Sequence, residues 1–581
     1  MGCDCLDWRT SDRVLDTWNR SNSIAKVLGA AMDHVDSPPV AAVFLVVFDQ
    51  KVGYSISWKR SLPEVDLEGV EYKSLPSGLH AVKEDLVYYI QGQHAGVSAF
   101  VQGEADASHR NANFVSVGAL VPLSYGQLGR SWIHAEELRA LARQVVENGE
   151  DKRALELFWK KHKLDESSRR TSGASSSHND GSLLGLGVDS KKRRNRALSE
   201  ATLAGFNAEH ASSADHPALH VPALLDVWGP LLFTLYRAAL SRKRILLLGS
   251  PSVQANANTV YLTSILSGVP PSLCGTLPTE AEGLFRNLPL FSVGVNDITS
   301  LMGRSNDNKG WLACTTDDIL GEKKDLYDLL VILPDSASTS DKVWPKLRAS
   351  DGRILKASQR DLRRWTLLRR ELRRLRRQTI GFYTDEPDAQ SESDERPLLK
   401  RSRTSAELYE NTGLQDRDES EAVEASSWSA LAYRGFMWWA SAGEASAWEN
   451  DEAKADEELL FDLPNVHDMF PDLSAGSNRT EAQREAGYAR AAATLLVAYF
   501  RRITEGILKQ LASIVEEADD NTEEGIEEDE IEITGEDVRV MGLDAWSEAD
   551  RIFVKDMMKL WFQRDANVAD QGVRLCGVRV C

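Results

Sequence analysis

Ile245-Leu246-Leu247-Leu248-Gly249-Ser250-Pro251-Ser252 is the stretch from which the fold can be read. Four apolar residues in succession, without polar alternation, suit a strand covered on both faces, as strands of parallel sheets are. Gly249 to Ser252 then turns the chain toward a helix running through Val260 to Leu266. Ahead of this unit, Leu224 to Leu240 has helical period and ends at Ser241-Arg242-Lys243-Arg244; beyond it, Leu329 to Leu333 repeats the apolar run. Helix alternating with buried strand over residues 216–345 implies crossover connections and a doubly wound α/β sheet.

Residues 1–165 read differently. Short β-branched and aromatic runs occur at Val40 to Phe48, Tyr54 to Trp58, Leu86 to Ile90, Val97 to Val101 and Phe114 to Leu120. A helical pattern follows, with Ile133, Leu138, Leu141 and Val145 on one stripe. This predicts a small mixed α/β module. Residues 166–215 form a Ser-rich linker that carries Lys191, Lys192, Arg193, Arg194 and Arg196; a solvated tether is preferred there to a targeting signal.

Residues 346–581 are read as an all-helical module with two interruptions. A Glu-, Asp-, Ser- and Arg-rich insertion at 384–427 is expected to be disordered. Thirteen acidic residues between Glu516 and Asp537 are expected to form a solvated loop. Leu496, Phe500, Ile503, Ile507, Leu511 and Ile514 mark an amphipathic helix between them. The last helix is placed at Ser547, with Asp550 completing a capping box. Trp428, Trp438, Trp439 and Trp448 follow the insertion and belong to no recognised motif.

The chain's 581 residues carry a formal charge of −20, which disfavours nucleic acid as a partner. Six scattered cysteines form no CxxC pair, which fits a reducing compartment and argues against structural zinc. Met1-Gly2-Cys3-Asp4-Cys5-Leu6 is not a signal peptide, and Leu6 stands where a myristoylation site wants Ser or Thr. No apolar run reaches the roughly 20 residues that span a bilayer. A soluble, cytoplasmic protein is expected.

Chemical motifs are scarce. A phosphate cradle after Leu248 would need successive glycine amides, whereas Gly249 is followed by Pro251, which has no N–H. His216 and His220 are four apart, but Pro217 argues against one helical face. There is no HExxH and no GxSxG. No catalytic residue, cofactor or metal site is assigned. The sharpest electrostatic feature lies at 360–377: Trp365, Leu368, Leu372 and Leu375 form an apolar stripe, among Arg363, Arg364, Arg369, Arg370, Arg373, Arg374, Arg376 and Arg377. Packing of the stripe, with the arginines meeting the chain's own carboxylates, is preferred to docking on anionic lipid.

Four blocks, in order, resemble the LCHN-type DENN-domain proteins. They are Phe44 to Asp49 with Asp66 to Ser74 and Ser77 to His80; Ala238 to Pro251; Leu312 to Asp317 with Glu322 to Asp328; and Met541 to Asp544. The resemblance implies an upstream longin-like module, a central α/β DENN module and a downstream helical module. It also implies that the first two modules grip the switch regions of a Rab-family GTPase, so that GDP leaves and GTP enters with no covalent step. Partner-binding expectations within the matched blocks fall on Asp66, Glu68 and Glu71, and on Asn296 and Asp297 nearby. Arg363, Arg370, Arg374 and Arg377, with Lys191 to Arg194, make up the expected basic patches. A Rab effector or trafficking scaffold without exchange activity is the alternative, and nuclear binding through Lys191 to Arg196 ranks third. Vesicle or endomembrane surfaces, with peripheral contact to anionic lipid, are the expected place of action.

Overall fold

The computed structural model describes residues 37–49, 51–75, 77–103, 113–126, 128–148, 152–164, 215–304, 309–334, 343–380, 419–426, 447–461, 480–523, 530–569, 574–575 and 578–579. Its centre is an eleven-stranded sheet, ordered β11-β10-β9-β6-β8-β7-β3-β4-β5-β1-β2. The upstream half comprises β1 (Ala42–Asp49), β2 (Gly53–Ser61), β3 (Glu84–Gln91), β4 (His94–Gly103) and β5 (Asn113–Pro122). All neighbours in it are antiparallel. These are the five runs expected from the sequence, the last four slightly extended and the first shifted from Val40–Phe48 to Ala42–Asp49. Helices α1 (Val70–Ser74), α2 (Ala135–Glu147) and α3 (Arg153–His162) complete this half.

The central half comprises β6 (Arg244–Leu248), β7 (Pro289–Ser292), β8 (Trp311–Thr315), β9 (Leu329–Ile332), β10 (Lys346–Ala349) and β11 (Ile354–Leu355). β7, β8, β6 and β9 are parallel, and an antiparallel hairpin of β10 and β11 closes the edge. Helices α4 (Val221–Trp228), α5 (Leu231–Leu240), α6 (Val253–Leu266), α7 (Ile298–Gly303) and α8 (Asp318–Glu322) belong to it. The apolar run at Ile245 is a parallel strand with neighbours on both sides. The two halves meet through one strand pairing, Tyr89 opposite Phe291.

One face of the sheet is covered by a continuous core. Alternate residues such as Leu45, Tyr88, Val97, Val117, Ile245, Leu247 and Val331 share it with α2, α5, α6 and the downstream helices. The reverse face carries two separate cores. In one, Phe44, Val87 and Tyr89 lie under Leu67, Val70 and Leu79. In the other, Leu246, Ala313 and Leu330 lie under Leu301, Leu320 and Tyr327.

Several expectations need correction. Leu224 to Leu240 is not one helix: α4 and α5 meet at 117° at Gly229-Pro230. Gly229 has φ 50, and a Cβ there would stand 2.4 Å from the Trp344 ring. Together the bent pair is apolar enough to pass for a broken membrane span, but no single described helix is, and the pair is built into the core. The central unit runs past residue 345, because β10 pairs onto β9 and β11 onto β10. Asp215, placed in the linker, is buried and lies 2.8 Å from Arg139. Residues 166–214, including Lys191 to Arg194, lie outside the described residues.

The downstream region holds α9 (Gln359–Ile380), α10 (Glu419–Ala422), α11 (Ala447–Phe461), α12 (Glu481–Glu523), α13 (Gly535–Val540) and α14 (Glu548–Phe562). It is not all helix, since β12 (Ile531–Ile533) pairs parallel with β13 (Ala566–Val568) and β14 (Arg574–Leu575) pairs with β15 (Val578–Arg579). The expected disordered insertion ends earlier than residue 427: Ala422 and Val423 are buried, and Val423 bridges Ala357. Residues 384–418 and Trp428, Trp438 and Trp439 lie outside the described residues. The expected acidic loop is mostly structured, because α12 runs to Glu523 with Val515 and Ala518 packed inward. Thr534 and Asp537 then form a capping box that starts α13. Ser547 Oγ accepts from Asp550 N at 3.3 Å, but the Asp550 carboxylate turns to Asp544 N at 2.8 Å instead of closing a box.

The apolar stripe of the arginine helix α9 is buried and its arginines meet the chain's own carboxylates, as the packing reading expects. Arg237 of α5 makes a bidentate pair with Asp361 at 2.8 and 2.6 Å, and its Nε lies 3.2 Å from Asp550 Oδ1. Arg360 and Arg364 converge on Asp456 of α11 at 3.1 and 2.8 Å, all three buried. Arg363 pairs with Glu452 at 2.6 Å. The first half of α9 therefore packs as the structural reading expects. In its last three turns Arg370, Arg373, Arg374, Arg376 and Arg377 are exposed.

Candidate functional site

The gap between the two reverse-face cores is where the sequence-predicted residues gather. One lip is the segment before and within α1. Asp66 Oδ1 accepts from Glu68 N at 2.9 Å, a turn completed by Gly69 at φ 82. Asp66 thus shapes the lip. Glu68 is exposed, and its carbonyl accepts from Gln91 Nε2 at 3.0 Å. Glu71 is half-buried, and its Oε2 is sealed from solvent with no hydrogen-bond partner.

The other lip follows the carboxyl ends of β7 and β8, the edge where open α/β sheets bind ligands. Asp297 Oδ2 accepts from Gly294 N at 3.1 Å, closing the turn in which Asn296 is exposed. Asp297 Oδ1 also lies 3.0 Å from Lys73 Nζ of α1, and that ammonium donates to Ile90 O at 2.9 Å. Lys73, next but one to Glu71 on α1 and passed over in sequence reasoning, thus ties the first lip to Asp297 on the second. Thr316 Oγ1 donates to Ser77 O at 2.6 Å, and Gly78 rests against Pro251.

The strongest contact across this seam is Asp85 at the start of β3. Its carboxylate accepts from Val253 N at 2.6 Å, Ser252 Oγ at 2.8 Å, Leu86 N at 2.8 Å and Gln254 N at 3.3 Å. Burial pushes this carboxyl above its ordinary range, while the four donors pull it back. The amides that a phosphate would use at the start of α6 are thus engaged by the chain's own acid. Sequence reasoning discounted a cradle here because of Pro251; the occupant, Asp85, lies 168 residues earlier than Val253 and left no local signal.

Large apolar side chains remain exposed on both lips: Tyr72 (49%) on α1, and Val295 (46%), Met302 (54%) and Ile319 (58%) on the central side. Tyr72 stacks edge-on to Tyr54 at 6.5 Å. Burial and then the neighbouring charge of Asp317 hold the Tyr54 phenol above its usual range, which places Asp317 of the central lip beside this aromatic pair. The seam thus offers apolar contacts rimmed by carboxylates. Tyr72 was legible in the sequence, between Glu71 and Lys73 of a matched block, but nothing marked it as exposed. Among the described residues no group of three or more His, Cys, Asp or Glu could hold a metal ion.

Comparison with known proteins agrees with this architecture. A family model described as DENN domain-containing protein 11 matches residues 43–343, and one described as a domain of unknown function (DUF4484) matches 423–531 and 522–581. The DENN domain-containing protein 11 of Xenopus laevis is 29% identical over 320 residues, which cover 55% of this chain and 65% of that protein. That of Rattus norvegicus is 30% identical over 322 residues, covering 54% and 62%. The match therefore spans less than two thirds of either relative. The uncharacterized protein ANR2 of Saccharomyces cerevisiae is 23% identical over 562 residues, covering 92% of this chain and 93% of that protein. With more than half its length matched by the first family model, the chain belongs to the DENN domain-containing protein 11 family.

Proposed function

We propose that this protein is a guanine-nucleotide exchange factor for a Rab-family GTPase, and that the GTPase switch regions dock across the seam. In this reading the antiparallel half with α2 and α3 is the longin-like module and the parallel half is the DENN module. The observation that carries it is the exposure of Tyr72, Val295 and Ile319 on two lips that different halves of the sheet supply. A partner gripping both lips covers apolar surface that would otherwise stay wet, and the surrounding acids select its orientation.

Exchange asks for no covalent chemistry. It asks that the factor bind the nucleotide-free GTPase more tightly than the loaded one, so that binding energy drives GDP out. Such a factor works at the cytoplasmic surface of endomembranes, where Rab proteins reside. Release of a fluorescent GDP analogue from a Rab panel tests this. Acceleration for at least one member is expected, falling about tenfold or more in a Tyr72→Ala, Ile319→Asp double variant that keeps its fold. No acceleration for any Rab, with preferential capture of the GTP-loaded form, would make the protein an effector instead.

A further inference from the structure

Helix α9 carries nine arginines and no lysine in 22 residues. Its first half uses them internally, against Asp456 and Glu452. In its last three turns the ion pairs lie open to solvent. Arg370, Arg374 and Arg376 have side chains 55%, 58% and 58% exposed, and the carboxylates near them, Glu457, Glu371 and Glu485, are themselves 29% exposed or more. Pairs as open as these hold their partners weakly and exchange readily for another anion.

A merely solvated face accounts for charge, but lysine would serve it equally well. Guanidinium forks are distinguished by bidentate contact with phosphate. In a chain of net charge −20, five exposed arginines within eight residues form a local field of the opposite sign. The helix has no exposed large apolar residue to drive into a bilayer: Trp365, Leu368, Leu372 and Leu375 are all buried in the protein. Contact would therefore stay at headgroup depth and depend on charge alone.

We propose that the carboxyl-terminal turns of α9 are a docking surface for anionic membrane, on which Arg370, Arg373, Arg374, Arg376 and Arg377 take the clustered phosphates of phosphorylated inositol lipid headgroups without insertion. The assignment stands whether or not the seam exchanges nucleotide.

Sedimentation of the full chain with phosphatidylcholine vesicles, plain or holding a few per cent phosphatidylinositol bisphosphate, tests it. Binding to the bisphosphate vesicles alone is expected, weakening steeply with salt. The triple variant Arg370→Gln, Arg374→Gln, Arg377→Gln should lose on the order of a hundredfold in affinity with an unchanged melting temperature. The corresponding three lysine substitutions should recover only part of that, since they restore charge without the fork. Absence of vesicle binding at low salt overturns the proposal, as does unchanged binding by the folded glutamine variant. Tight binding of free inositol hexakisphosphate without vesicle binding also overturns it, and makes the surface a soluble-polyphosphate site.

Discussion

Across the seam between the central half and the downstream helices, Arg237 is clamped between Asp361 and Asp550, and behind it, within the downstream helices, Arg360 and Arg364 close on Asp456, all out of water. Across the upstream seam, Lys73 and Asp297 meet at 3.0 Å with partial access to water, and one strand pairing joins the two halves of the sheet. Both seams use charge, but burial changes what the charge does. A buried pair contributes little net stability when intact and costs heavily when half of it is removed, so it fixes geometry. A pair near solvent can open and close at small cost. The difference teaches which joint is held by buried ion pairs and which combines one buried carboxylate, Asp85, with a pair that keeps partial access to water.

The largest test of that contrast is Arg237→Ala, which leaves Asp361 and Asp550 buried without their cation. A loss of about 3–5 kcal/mol is expected in denaturant unfolding. A loss of under about 1 kcal/mol would mean that the downstream seam is as open as the upstream one.

Second in size is the pH response of the same cluster. Burial raises the Asp550 carboxyl to about 7, with Arg237 pulling the other way and Asp361 adding to the rise. Unfolded, the group titrates near 3.8, so between about pH 4 and 7 the folded protein holds a proton that the unfolded chain has released. Stability contributed by this group is full below that window and falls as pH rises through it. Asp550→Asn should flatten the fall, as read by melting temperature across the window. An unchanged slope would assign the pH response to other groups.

Asp85→Ala is the smallest of the three, although it strikes the best-bonded point of the upstream seam. Loss of the cap on α6 should cost about 2 kcal/mol and leave the downstream region's hydrogen-exchange protection unaltered. Amides at Val253 and Gln254 should exchange faster. A cost equal to that of Arg237→Ala would erase the distinction between the seams.

The strands of the upstream half were legible because each carries its own β-branched and aromatic run, and β6 because Ile245 to Leu248 form an unbroken apolar run. β7 and β8 were not. β7 has four residues beginning at Pro289, and β8 reads as part of a longer mixed block. Their strand identity comes from pairing, which sequence does not print locally. The acidic stretch after Glu516 misled for a related reason: charge describes one face of α12, while Val515 and Ala518 on the other face decide that it packs. The side chains of Asp66 and Asp297 serve turns and a crosslink, roles that the sequence did not mark. Exposed Tyr72 and Ile319 went unread because exposure belongs to the fold and not to the residue type.

Helix α12 has a practical consequence for dissecting the protein. At 43 residues it is about 65 Å long, and Phe500 packs at 5.3 and 4.7 Å on Phe233 and Tyr236 of the central half. The DENN family match stops at residue 343, before β10 covers the edge of β9. A fragment cut at that limit would carry a bare strand edge and an uncovered aromatic surface, two features that drive self-association. The unit that folds is thus larger than the unit that the family match recognises, and trimming to the matched region yields a different, stickier molecule.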